Sequence, residues 1–192
     1  MGRRATSGLD QAAVQGYKAT MKTFFPVLAL FSLAAMLGRA ETPAADQVLA
    51  QAKAKAAAEH KAIFVHFGAS WCGWCKRLDA FLERPDIKPV FEKQFIPVRL
   101  VVQENDKNKA LENPGADALL KHLGGPGGLP YFAFLDEQGK LIVNSKLDGQ
   151  NIGYPAQPQE INWFVQTMKK AAPKMPEADL KTIQAALRDF KK

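Results

Sequence analysis

The chain has 192 residues, of which 47% are hydrophobic and 23% charged, enough apolar material for one packed core with additions. Of its formal charge of +7, residues 1–40 supply +4 (Arg3, Arg4, Lys18, Lys22 and Arg39 against Asp10), leaving +3 for the rest. That modest excess, with no basic stripe interleaved with aromatics, speaks against a nucleic-acid partner. Lys169, Lys170, Lys191 and Lys192 read as solvated helix faces.

The first 40 residues have the pattern of a secretory signal peptide. Met21-Lys22 precedes an apolar stretch from Phe24 to Leu37, and Gly38-Arg39-Ala40 follows as a small-x-small cleavage site. The stretch is short of the roughly 20 residues a membrane span requires. An uncleaved segment is the alternative and would be the chain's only membrane attachment. Translation is expected to start at Met21 and cleavage to follow Ala40, giving a periplasmic or secreted protein beginning at Glu41.

In the mature part, Ala44 to His60 is alanine-rich and reads as a helix with Val48, Leu49 and Ala52 on one side. Lys61 to Phe67 is nearly all apolar, as in a central strand buried on both faces. Cys72-Gly73-Trp74-Cys75 then opens a helix running to Glu83, with Leu78, Phe81 and Leu82 inward and Pro85 beyond its end. Asp86 to Gln94 reads as a short helical piece and Phe95 to Val102 as a second strand. A long polar connection from Gln103 to Gly128 contains a helix over Ala116 to Leu123. Its Gly124-Gly125-Pro126-Gly127-Gly128 run lacks the Gly-Lys-Ser/Thr ending of a phosphate loop and reads as a turn. Tyr131 to Asp136 and Leu141 to Lys146 form a hairpin around Glu137-Gln138-Gly139-Lys140. Glu160 to Ala171 is a helix with Ile161, Phe164, Val165 and Met168 on one face. Past Pro173 and Pro176, a last helix spaces Leu180, Ile183, Leu187 and Phe190 for packing.

Cys72 and Cys75 are the only cysteines. In an oxidising compartment, a structural bridge gains most by closing a long loop, and one spanning two residues gains little. Two thiols at a helix start can instead close and reopen without a change of fold. The helix dipole and free N–H groups there favour a thiolate at Cys72, the species that attacks disulfides.

The segment Phe67-Gly68-Ala69-Ser70-Trp71-Cys72-Gly73-Trp74-Cys75-Lys76, followed downstream by Gly128-Leu129-Pro130-Tyr131-Phe132, resembles the active-site and cis-proline segments of the thioredoxin-like superfamily. The resemblance spans about residues 44–172. It implies an α/β thioredoxin fold, a central mixed sheet flanked by helices, over residues 41–172, with residues 173–192 an added C-terminal helix. It further implies a thiol–disulfide oxidoreductase without a prosthetic group, acting on protein thiols or disulfides and served by a membrane or soluble electron-transfer partner. Cys72 would be the exposed attacking thiol and Cys75 the resolving one. Trp71, Trp74, Leu129 and Pro130 would contact substrate, Leu129 through edge hydrogen bonds. Three positions depart from the family pattern. Trp74 replaces the proline of thioredoxins proper, Leu129 stands where β-branched residues are frequent, and His66 stands where many members carry a buried acid. His66 is thereby a candidate for proton transfer with Cys75, and Arg99 a charged neighbour whose guanidinium reaches the surface. Two alternatives stay open: a client-binding module with little turnover, and a zinc site joining the cysteines to two of His60, His66 and His122.

Overall fold

The computed structural model describes residues 41–125 and 128–190. The expected signal segment, the middle of the glycine run and the last two lysines lie outside them. The elements follow in the order α1 (Ala45–Glu59), β1 (Ala62–Gly68), α2 (Gly73–Leu82), α3 (Lys88–Glu92), β2 (Phe95–Val101), α4 (Ala116–His122), β3 (Tyr131–Leu135), β4 (Leu141–Asn144), β5 (Lys146–Leu147), β6 (Gln150–Asn151), α5 (Pro158–Ala171) and α6 (Glu177–Asp189). A 3₁₀ segment, Asp106–Leu111, and the β5–β6 hairpin carry no apolar periodicity and are additions to the expected list.

One four-stranded sheet, in the order β2-β1-β3-β4, organises the domain. β1 runs parallel to β2 and antiparallel to β3, which places it inside a mixed sheet. Its near-continuous apolar sequence follows from burial on both faces. Ile63, Val65 and Phe67 point to one layer with Ile96, Val98, Leu100, Tyr131 and residues of α1 and α4. Phe64 points to the other, among Phe132, Phe134, Phe95 and residues of α2, α3, α5 and α6. His66 and Gly68 follow Phe64 at period two and so share its face.

Local chemistry sets the helix ends. His60 closes α1 in the left-handed region, with its N–H on the Ala56 carbonyl. Glu160 caps the start of α5 by accepting from the Gln157 N–H at 2.7 Å and the Ala156 N–H at 2.9 Å. Pro158 stands in the first turn, where no N–H is needed. α6 packs inward through Leu180, Ile183 and Leu187, which belong to the same core as Phe81 and Ile87. The stripe read from its sequence is spent inside the molecule.

β2 is an edge strand. Val101 has its outer backbone groups satisfied by Asn113, which accepts from the Val101 N–H at 2.7 Å and donates its own N–H to the Val101 carbonyl at 3.1 Å. Pro97 lies two and four residues from Arg99 and Val101 on the exposed side of this strand and has no N–H to offer a passing chain.

Candidate active site

Strand register brings the two motif segments together. β1 ends at Gly68, and antiparallel β3 starts at Tyr131, opposite Phe67. Pro130 therefore stands at the end of the sheet where the chain turns through Ala69–Cys72 into α2. The Leu129–Pro130 peptide bond is cis. Leu129 packs against a small buried cluster of Ala69, Cys72 and Cys75.

Cys72 and Cys75 form a disulfide with their Cα atoms 5.3 Å apart. Cys72 is the N-cap of α2 in extended conformation, and its Sγ accepts the Cys75 N–H at 3.1 Å. The cap position thus puts the first sulfur among the unpaired N–H groups of the helix start. Cys75 is fully buried and Cys72 is 5% exposed, so the difference in access between the sulfurs runs in the expected direction but is small. Gly68 explains how Cys75 fits beneath the sheet: a Cβ at Gly68 would lie 3.0 Å from the Cys75 Cβ and 3.3 Å from its Sγ.

The tryptophans flanking the pair are both open to solvent, Trp71 at 55% and Trp74 at 54%. Trp71 donates its indole N–H to the Gln103 carbonyl at 2.8 Å. Trp74 stacks on Tyr154, with ring centroids 5.7 Å apart and planes inclined by 17°. Together with Gly128, Leu129, Asn151, Gly153 and Glu160 they line a groove of about 350 Å³. Asn151 fixes its floor by donating to the carbonyls of Gly128 at 2.8 Å and Pro130 at 3.1 Å, while accepting from the Ser145 hydroxyl at 2.7 Å. Arg77 of α2 lies over the rings of Trp74, Tyr154 and Phe190 and donates to the Phe190 carbonyl, tying the end of α6 to the helix that carries the cysteines. Burial raises the Tyr154 phenol above its usual range, against an opposing pull from Arg77.

His66 is buried on the α2 side of the sheet, and its hydrogen-bond partner is Asp79, not a cysteine. Nε2 lies 2.7 Å from Asp79 Oδ1, and Asp79 Oδ2 accepts from Arg99 Nε at 3.0 Å. Asp79 sits one helical turn beyond Cys75, on the same face of α2. Burial pushes the Asp79 carboxyl up, but its contacts with His66 and Arg99 outweigh this and hold it below its ordinary value. Arg99 fills both expected places, pairing with Asp79 near Cys75 while remaining partly exposed. A cleft of about 370 Å³ opens over His66, Asp79 and Arg99 between α2, α3 and the β2 edge.

Sequence reasoning missed Asp79, Asn151, Tyr154 and Glu104. Only Asp79 carried a signal, its four-residue spacing from Cys75. His60 and His122 lie at the ends of α1 and α4. Among the described residues no group of three or more His, Cys, Asp or Glu is arranged to hold a metal ion.

A mixed sheet with a cysteine pair at the start of the helix after its central strand, facing a cis-proline, defines a thioredoxin-fold protein of the disulfide oxidoreductase type. Residues 44–137 match the model of a thioredoxin-like family. Solved structures similar to this chain include a disulphide isomerase from Xylella fastidiosa Temecula1, at 20% identity over 77% of this chain and 92% of that one, TM-score 0.45. The C-terminal domain of Neisseria meningitidis DsbD in its reduced form is similar at 26% identity over 65% of this chain and 97% of that one, TM-score 0.42. DsbH oxidoreductase is similar at 16% identity over 80% of this chain and 95% of that one, TM-score 0.43. No curated protein matches the chain.

Proposed function

We propose that the protein is an exported thiol–disulfide oxidoreductase that reduces disulfides of protein substrates through Cys72 and Cys75. The observation that carries this reading is the Cys72–Cys75 disulfide at the N-cap of α2, beside Leu129 and the groove lined by Trp74.

In the reduced protein, the Cys72 thiolate attacks one sulfur of the substrate disulfide. The substrate S–S bond breaks, a mixed disulfide forms, and the departing substrate sulfur takes up a proton. Cys75 loses its proton and attacks Cys72 Sγ. The mixed disulfide breaks, the second substrate sulfur leaves as a thiol, and Cys72–Cys75 is closed again. Two electrons have passed from the protein dithiol to the substrate. An extended substrate segment lies along Leu129, with Trp71, Trp74 and Pro130 forming the contact surface. His66, braced by Asp79, serves the proton that Cys75 gives up. A membrane-bound or soluble redox partner returns the dithiol form, in the periplasm or outside the cell after removal of the signal segment.

The test is a Cys75→Ser variant of the mature chain incubated with disulfide-bearing proteins. Mixed disulfides through Cys72 should accumulate, and adding Cys72→Ser should abolish them. Direction is read by equilibrating the wild type in glutathione buffers. A potential near about −270 mV fits a reductant, and one near about −120 mV reverses the proposed direction. No reversible two-thiol transition at any poise refutes the reading. The exposure of Trp71 and Trp74 beside the sulfurs favours one second reading, a client-binding module. Client binding that survives Cys72→Ser, with no turnover in the wild type, would select it.

A further inference from the structure

Glu104 lies on the loop after β2, is only 7% exposed, and takes part in none of the steps above. Its carboxylate grips one residue with both oxygens: Oε1 accepts the Ser70 backbone N–H, and Oε2 accepts the Ser70 hydroxyl at 2.7 Å. Asn108 in turn donates to the Ser70 hydroxyl oxygen at 3.0 Å. The donor chain runs Asn108 to Ser70 to Glu104, so the hydroxyl proton points at Glu104 and both Glu104 oxygens act as acceptors. That is the bonding of an ionised carboxylate. None of the ion pairs among the described residues includes Glu104.

The gripped residue belongs to the turn that delivers the attacking sulfur. The Cys72 N–H bonds to the Ala69 carbonyl at 3.1 Å, closing a four-residue turn with Ser70 and Trp71 at its centre. Such a turn spans less than about 7 Å between its end Cα atoms. The next residue, Trp71, is held to the same loop through Gln103. Of the charges on the adjoining segments, Lys76 of α2 and Asp106 and Lys107 beside Asn108 are in no ion pair among the described residues. Asp79 is shared by His66 and Arg99, Glu112 pairs with Lys109, and Arg77 turns to Phe190, leaving Lys76 exposed on α2.

We infer that Glu104 is a positioning residue that fixes the Ser70–Cys72 turn and, through its uncompensated buried charge, opposes formation of the Cys72 thiolate. The inference rests on the thiol–disulfide reading and adds a determinant of its direction. A negative charge beside the attacking sulfur destabilises the reduced, thiolate-bearing form. It therefore makes the pair a stronger reductant than the helix N-cap alone would.

The clean variant is Glu104→Gln, whose amide accepts from the Ser70 N–H and donates to the Ser70 hydroxyl oxygen while removing the charge. In a medium between protein and water, one charge near a thiol moves its pKa by about half to one pH unit. The pH dependence of Cys72 alkylation in the chemically reduced protein should shift down by that amount. The equilibrium of Cys72–Cys75 with glutathione, in which two glutathione thiols supply two electrons and two protons, should move about 3- to 10-fold toward the dithiol. Asn108→Asp adds a negative charge at the same hydroxyl and should shift the profile upward, so the two variants move in opposite directions. An unchanged or raised alkylation profile in Glu104→Gln overturns the inference even if wild-type turnover stands. A profile that shifts as expected in a protein that never cycles with glutathione sustains the inference and removes the oxidoreductase reading instead.

Discussion

Replacing Asp79 with Asn isolates what the charge beneath Cys75 contributes. Asp79 Oδ1 meets His66 Nε2 at 2.7 Å and Oδ2 accepts from Arg99 Nε at 3.0 Å, both well inside hydrogen-bonding range. An Asn side chain is the same size but presents one acceptor and one donor, so one of these two partners must face an N–H group. A hydrogen bond to a charged group contributes about 1.5–3 kcal/mol when well buried. The Asp79 side chain is 29% exposed and Arg99 39%, so solvent screens part of this, and the expected loss is about 1–2 kcal/mol. For a domain of this size that lowers Tm by roughly 2–8 °C. The pH dependence has a definite sign. The folded state holds Asp79 below its ordinary value of 3.8, so its stabilisation is present above that pH and disappears as the pH falls through the folded-state value. Urea unfolding of wild type and Asp79→Asn between pH 2 and pH 7 should show a gap that is full at neutral pH and closes in acid. A gap of equal size at every pH would assign the loss to packing, and no gap at pH 7 would refute the argument altogether.

Three further outcomes are expected. Gly68→Ala places a methyl 3.0 Å from the Cys75 Cβ, and the overpacking should cost about 1–3 kcal/mol in denaturant unfolding while slowing closure of the disulfide. The Tyr131 hydroxyl donates to the Leu123 carbonyl at 2.6 Å, and burial pushes its phenol up to about 12. An ultraviolet titration should leave this tyrosine protonated past pH 11, with its share of the stability present below the ordinary 10.0 and lost toward about 12, a loss that Tyr131→Phe should remove. Ile183→Ala should cost about 2–5 kcal/mol, because Ile183 is fully buried with Leu78, Phe81 and Phe164 and not held in reserve for a partner, and a near-neutral effect would show α6 to be a loose appendage.

The sequence alone determined the main helices and strands and their faces. An apolar run buried on both sides, helical stripes such as Leu78-Phe81-Leu82 and Leu180-Ile183-Leu187, and Pro or Gly at the boundaries are local signals. Local sequence sets hydrophobic period and capping, which is why these survived in the fold. The cysteine pair was legible for the same reason, since both sulfurs lie within one turn of helix start. The Pro130 segment was legible only through resemblance, because 55 residues of sequence separate it from Cys75. His66 illustrates the limit. Its burial on a central strand followed from neighbouring apolar residues, but its partner, Asp79, is fixed by how α2 crosses the sheet. Glu104 and Tyr154 stand in irregular segments and Asn151 in a two-residue strand, with no periodicity to mark them. What brings Glu104 to Ser70, Asn151 to the Pro130 loop and Tyr154 to Trp74 is the register of β1 with β2 and β3 and the docking of α5 on the sheet. Those arrangements are settled by burying two apolar layers at once, a condition on the whole chain that no local stretch of residues encodes.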